Sequence, residues 1–243
     1  MLVRKDLLNQ LLNIAVGNIE YFNSKRWVTI DGNHVLIEDN KKQEVKDIIN
    51  KLEQKYSKKI KEIKETDKKG YSAYFSSDNI FHINPEFIKN PSKVTEVNEQ
   101  WTKGLKNELA KYEINKILYE KTGNLKDVAK FEKQIEKIKK DLKFSRYNVI
   151  YKEKEIETVL THEYGHFLSM NLLDRNSDEY NHEKALLIKN TYKEAKKKDD
   201  VYKISKYATE NIDEFFADTF TIYEMGQEKL PNYLEDMVKK VIA

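Results

Sequence analysis

His162-Glu163-Tyr164-Gly165-His166 sets two histidines four residues apart, with a glutamate directly after the first. On a helix that spacing separates them by about 40° around the axis, so both imidazoles leave one face a turn apart. Two such rings can share one Zn²⁺ at roughly 2.0–2.1 Å, as two of the three protein ligands of a catalytic site. Glu163 points to the side of that face, where it can act as general base toward a water on the metal without ligating. With five histidines in the chain, a chance match to this pattern arises on the order of once in a hundred such sequences. A closed structural zinc site is the stronger rival, but such sites are usually built from four Cys or His ligands, and this chain has no Cys. Ile156, Val159, Leu160, Phe167, Leu168 and Met170 flank the pentapeptide, as in a helix buried in the middle of a domain.

A third ligand is needed. A metzincin would continue with Gly three residues and His six residues after His166, but Ser169 and Leu172 stand there. His34, His82 and His182 lie in segments without ligand-like spacing and read as surface or strand residues. A carboxylate from a second helix is the alternative, giving a set of two His and one Glu. Glu214 is the best placed, in an apolar helix that runs to Met225. Asp218 follows four residues later on the same face, where it can accept a hydrogen bond from the free ring nitrogen of a zinc-bound His. Ala217 beside them is small enough to let another helix approach closely. Asn211 and Glu214 also read as a capping box, in which Glu214 only satisfies a backbone N–H. Glu179, Glu183, Glu194 and Glu210 are rival ligands in strongly charged stretches.

Together, His162-Glu-Tyr-Gly-His166 and Tyr207-(x)6-Glu214-Phe215-Phe216-Ala217-Asp218-x-Phe220 resemble the zinc-binding catalytic domains of the anthrax lethal factor family. They are also similar to the metallopeptidase modules of phage minor head proteins and of some bacterial toxins. The resemblance covers 157–225. It implies a gluzincin-type zincin, with Glu214 as the third zinc ligand and Tyr207 assisting the oxyanion. A second segment, Arg26-Trp-Val-Thr-Ile30-Asp31-Gly32-Asn-His34-Val-Leu-Ile37, resembles one found in phage head-associated and polyvalent mobile-element proteins. Read without that likeness, it is two alternating strands joined at Asp31-Gly32, a type I′ hairpin signal.

Charged residues make up 35% of the 243 and the net charge is only +3, so both signs are interspersed and nucleic acid is not the expected partner. The residues from Met1 to Phe22 lack a continuous apolar run and a small-residue cleavage site, so they read as an amphipathic helix and not a signal peptide. No stretch is long enough to span a membrane. The expected location is the cytoplasm, or release without an ordinary signal peptide, in a bacterium or phage.

Along the chain, a helix is expected at about 3–14 and the hairpin at 26–38. A Lys/Glu-rich helix follows at 41–65, with Val45, Ile48, Ile49, Leu52, Tyr56 and Ile60 as its stripe. Strands are expected at 71–75, 79–83 and 146–151, and two charged helices between 91 and 142 break at Gly123-Asn124. Helices at about 153–173, 178–197 and from the Glu214 segment to Met225 complete the reading.

The expected fold is α+β and predominantly helical: residues 1–40 form an appendage, and 41–243 a zincin-like domain. That domain has a small twisted sheet, two zinc-holding helices and an inserted helical hairpin at about 92–142, whose charged faces could dock a partner. The expected function is zinc-dependent hydrolysis of peptide bonds in a protein or peptide substrate. His162, His166 and Glu214 would hold the metal, Glu163 would act as base, and Tyr207 would donate to the oxyanion. The competing reading is a phage or mobile-element assembly protein whose zinc mainly holds two helices together.

Overall fold

The computed structural model describes residues 27–30 and 37–243. The helix expected at 3–14, the Asp31-Gly32 turn and His34 lie outside the described residues. The chain divides into two compact units, Met1–Lys89 and Asn90–Ala243, whereas the expected boundary is at 40/41. The fold is α+β and mostly helical.

In the first unit, β1 (Trp27–Val28), α1 (Asp39–Tyr56), β2 (Glu62–Glu65), β3 (Ala73–Phe75), β4 (Ile80–Ile83) and α2 (Pro85–Lys89) follow in order. The sheet order is β1-β2-β4-β3. β1 and β4 both run parallel to β2, with Trp27 opposite Ile63 and Ile63 opposite Phe81, and β3 runs antiparallel to β4. Ile63, Ala73, Phe81 and Ile83 are buried on it.

The helix expected to reach residue 65 stops at Tyr56. Val45, Ile49 and Leu52 are its buried stripe, and Ile60 falls one turn beyond Tyr56 in the same helical register, so periodicity alone runs on. Ser57 takes a left-handed conformation (φ 53°) that ends the helix. The buried Glu53 carboxylate then accepts the Ile60 N–H at 2.7 Å and turns the chain into β2. Glu65 is buried in that strand, where Trp27 Nε1 donates to it at 2.6 Å.

The second unit holds α3 (Lys93–Lys121), α4 (Leu125–Asp141), α5 (Glu155–Leu173), α6 (His182–Lys197), α7 (Val201–Ile204), a 3-10 turn (Tyr207–Thr209), α8 (Ile212–Met225) and α9 (Asn232–Ile242). α3 and α4 form a helical hairpin closed by Gly123, whose φ of +72° suits a residue without Cβ. Asn124 caps α4 by accepting the Asp127 N–H. α4 buries Val128, Ile135 and Ile138, whereas α3 buries none of its residues.

The strand expected at 146–151 does not form; the segment is irregular. Its backbone groups go elsewhere. The Asn98 side chain accepts from Tyr147 N (2.9 Å) and Asn148 N (3.0 Å) and donates to Asn148 O (3.1 Å). Arg146 O and Tyr147 O accept from Lys206 N and Tyr207 N at 3.0 and 2.7 Å. With no sheet neighbour, these bonds satisfy the segment without a ladder.

α5 and α8 cross at close range. A Cβ on Gly165 would stand 2.9 Å from the Ala217 Cα and 3.1 Å from Phe220 Cδ1. Phe215, Phe216, Ala217 and Phe220 on α8 and Leu160, Tyr164 and Phe167 on α5 are fully buried. α9, which the sequence reading did not anticipate, buries Leu234, Met237, Val238 and Val241, the i, i+3, i+4, i+7 stripe of an amphipathic helix. Among the described residues, no helix is long and apolar enough to cross a membrane.

Candidate metal centre

The buried part of α5 carries two threonines ahead of the histidines. Thr158 and Thr161 return their hydroxyls to the Lys154 and Glu157 carbonyls, both at 2.7 Å, so neither is left unsatisfied in the interior. His162 and His166 then emerge from one face with rings edge to face, centroids 4.7 Å apart, and their Nε2 atoms 3.1 Å apart. Glu214, in the first turn of α8, brings Oε2 to 3.2 Å from each Nε2. Asn211 caps α8 by accepting the Glu214 N–H at 2.9 Å, so the capping role falls to the Asn side chain. The Glu214 carboxylate faces the histidines.

These three atoms form a nearly equilateral triangle with sides of 3.1, 3.2 and 3.2 Å. A tetrahedral ion with arms of roughly 2.0–2.1 Å has edges of roughly 3.3–3.4 Å. The triangle is thus close to one face of such a tetrahedron. No hydrogen bond satisfies Glu214 Oε2, although it is buried, and a buried carboxylate oxygen without a partner is costly. Two imidazole nitrogens and a carboxylate oxygen suit a borderline-soft divalent cation. Among the described residues, His162, His166 and Glu214 are the one group of His, Asp or Glu side chains close enough to hold a metal ion. The rival carboxylates, Glu179, Glu183, Glu194 and Glu210, are exposed.

Asp218 stands behind His162. It is fully buried, and its Oδ1 lies 2.8 Å from His162 Nδ1. A carboxylate can only accept there, so Nδ1 carries a proton and Nε2 is the ring nitrogen that faces Glu214 and His166. Burial opposes a charged His162, but the facing carboxylates of Asp218 and Glu214 outweigh it and hold its pKa well above the ordinary value. Burial likewise opposes a charged Glu214, and the two histidines outweigh it, keeping its carboxyl well below the usual carboxylate range. Without a metal, the pocket therefore favours a cationic His162 beside an anionic Glu214.

Tyr207 sits on the 3-10 turn with its ring 6.2 Å from that of His162. Burial first, then the negative charge of Glu214 and a hydrogen bond with it, push the phenol pKa up, so it remains a neutral donor. Glu163 is half-buried, and its negative charge acts on both His162 and Tyr207. His82 and His182 lie elsewhere: His82 stacks on Tyr74 at 4.4 Å in the sheet, and His182 opens α6, exposed.

Two residues at this centre had not been singled out from the sequence. Asp213, beside Glu214, has its carboxyl pKa raised by burial, with His166 acting against that. Ser205, fully buried between α7 and the 3-10 turn, donates its hydroxyl to Asp218 Oδ2. Neither belongs to a recognisable spacing. In comparisons with known proteins, no family model, no curated protein and no solved structure matches this chain.

Proposed function

We propose that the protein is a zinc-dependent endopeptidase of the gluzincin type, with a zincin-like arrangement of α5 and α8. The observation that carries this reading is the 3.1–3.2 Å triangle of His162, His166 and Glu214. His162, His166 and Glu214 would hold the ion, and Asp218 would fix the His162 tautomer. Zinc in such a site supplies Lewis acidity, bringing a water's pKa toward neutrality and polarising the carbonyl under attack. The Glu163 carboxylate takes the proton of the attacking water and returns it to the nitrogen of the departing amine. The Tyr207 hydroxyl, held neutral by its surroundings, donates to the carbonyl oxygen as charge develops on it. A protein or peptide substrate follows from the likeness of these two segments to lethal-factor-type peptidases.

A zinc that only fastens two helices is the weaker reading. The α5–α8 crossing is already closed by the approach of Gly165 to Ala217 and by fully buried aromatics. A fastening role also needs neither Glu163 nor Tyr207. The test is Glu163→Gln, assayed for peptide cleavage alongside metal content. Cleavage should fall by about 10²–10⁴-fold, the usual contribution of a general base, with zinc retained at the wild-type level. Undiminished cleavage by the variant would remove Glu163 from the mechanism.

A further inference from the structure

Asp218 has two oxygens, and His162 occupies only one. The other, Oδ2, accepts the Ser205 hydroxyl, and both residues are fully buried. Ser205 Oγ in turn accepts the Ala208 N–H at 2.8 Å, across the start of the 3-10 turn. That second bond matters for the first. A serine hydroxyl can rotate, but with a lone pair taken by a fixed backbone N–H, its proton is directed at the carboxylate. Three groups in line, Ala208 N–H, Ser205 O–H and Asp218, end on His162 Nδ1 at 2.8 Å.

Resting on the metal-site reading above, we infer that Ser205 is a positioning residue for the zinc centre. It acts through Asp218 to fix the orientation of the His162 ring. Removing the hydroxyl leaves Asp218 Oδ2 buried without a donor, free to swing toward another partner and to carry His162 with it. Outer partners of this kind typically set metal affinity over a range of about 10–100-fold.

The experiment is a double-mutant cycle read as zinc affinity, measured on the full chain by competition with a chromophoric chelator. Ser205→Ala should weaken zinc binding about 10-fold. Asp218→Ala should weaken it at least as much, and adding Ser205→Ala to Asp218→Ala should change it little further, because the serine acts only through the carboxylate. Ser205→Thr, which keeps the hydroxyl, should stay within about 3-fold of wild type, and it carries the test should the alanine variant fail to fold. Visible absorption of the cobalt-loaded proteins gives a second readout, since a reoriented His162 alters the ligand field. Single-variant losses that multiply in the double variant would overturn the inference. So would a Ser205→Ala affinity within about 2-fold of wild type, or a Ser205→Thr loss as large as that of an Asp218 variant. In each of those cases, zinc binding by the wild type leaves the parent reading standing. A wild-type protein that binds no zinc overturns both.

Discussion

The α5–α8 crossing and the α3–α4 hairpin are both pairs of helices, yet they are built on opposite terms. α8 runs fully buried from Phe215 through Phe220, and α5 nearly so around its histidines, with its threonines returning their hydroxyls to the helix backbone. α3, at 29 residues the longest helix described, buries none of them, and leaves Ile114, Ile117 and Leu118 more than half exposed. Holding the His162, His166 and Glu214 atoms in a 3.1–3.2 Å triangle requires rotamers locked by packing on every side. A hairpin without such a site can leave most of its surface in water.

The contrast can be broken at several points. Phe220 is fully buried against Phe216, so Phe220→Ala should cost about 3–5 kcal/mol, whereas Ile114→Gln on exposed α3 should fall within about 0.5 kcal/mol of wild type. Urea unfolding of both variants measures the difference. If they cost the same, the crossing is not the packed core described above.

Glycine gives a finer test. Gly165→Ala adds a Cβ 2.9 Å from the Ala217 backbone, so it should destabilise by about 1–3 kcal/mol despite alanine's better helix propensity. Gly104, within α3, has nothing within 4 Å of the same atom, and Gly104→Ala should stabilise by up to about 1 kcal/mol. Opposite signs from one substitution would mark which helix is closely crossed. Equal signs would contradict it.

The pH dependence sharpens the crossing alone. Without metal, the His162 pKa in the folded protein lies above its unfolded value of 6.5. Its contribution is therefore fully present below pH 6.5 and lost as pH rises through the folded pKa. Glu214 has the opposite sign: its pKa is depressed below 4.5, so its contribution is present above that pH and lost in acid. Thermal unfolding of chelator-treated protein should show stability falling above pH 6.5, and saturating zinc should reduce that fall by replacing the proton. A metal-free protein whose Tm is flat there would deny the charge coupling at His162.

The grouping of His162, His166 and Glu214 was legible because a shared-metal reading constrains spacing more tightly than packing does. His162 and His166 had to share a helix face, Glu214 and Asp218 had to share another, and Ala217 between them signalled a close approach. The other half of that approach, Gly165, lay inside the pentapeptide itself. What was not legible depends on three-dimensional neighbours. Nothing in 146–151 reveals that Asn98, some fifty residues earlier, takes its backbone hydrogen bonds. The end of α1 was hidden because Ile60 continues the stripe past Tyr56, while Ser57 and Glu53 act locally to stop the helix. The stripe of α9 was present in the sequence at Leu234, Met237, Val238 and Val241. Ser205 left no trace, since a lone serine between two short elements has no period.

The proposed function stands on His162, His166 and Glu214 closing on one zinc ion. Zinc content per chain, measured by mass spectrometry after dialysis against a weak chelator, tests it most directly. About one zinc per wild-type chain is expected, with a near-complete loss in Glu214→Ala, as for removal of one of three protein ligands. A wild-type protein without zinc, or a Glu214→Ala variant that retains it fully, would mean that these three side chains do not hold the ion.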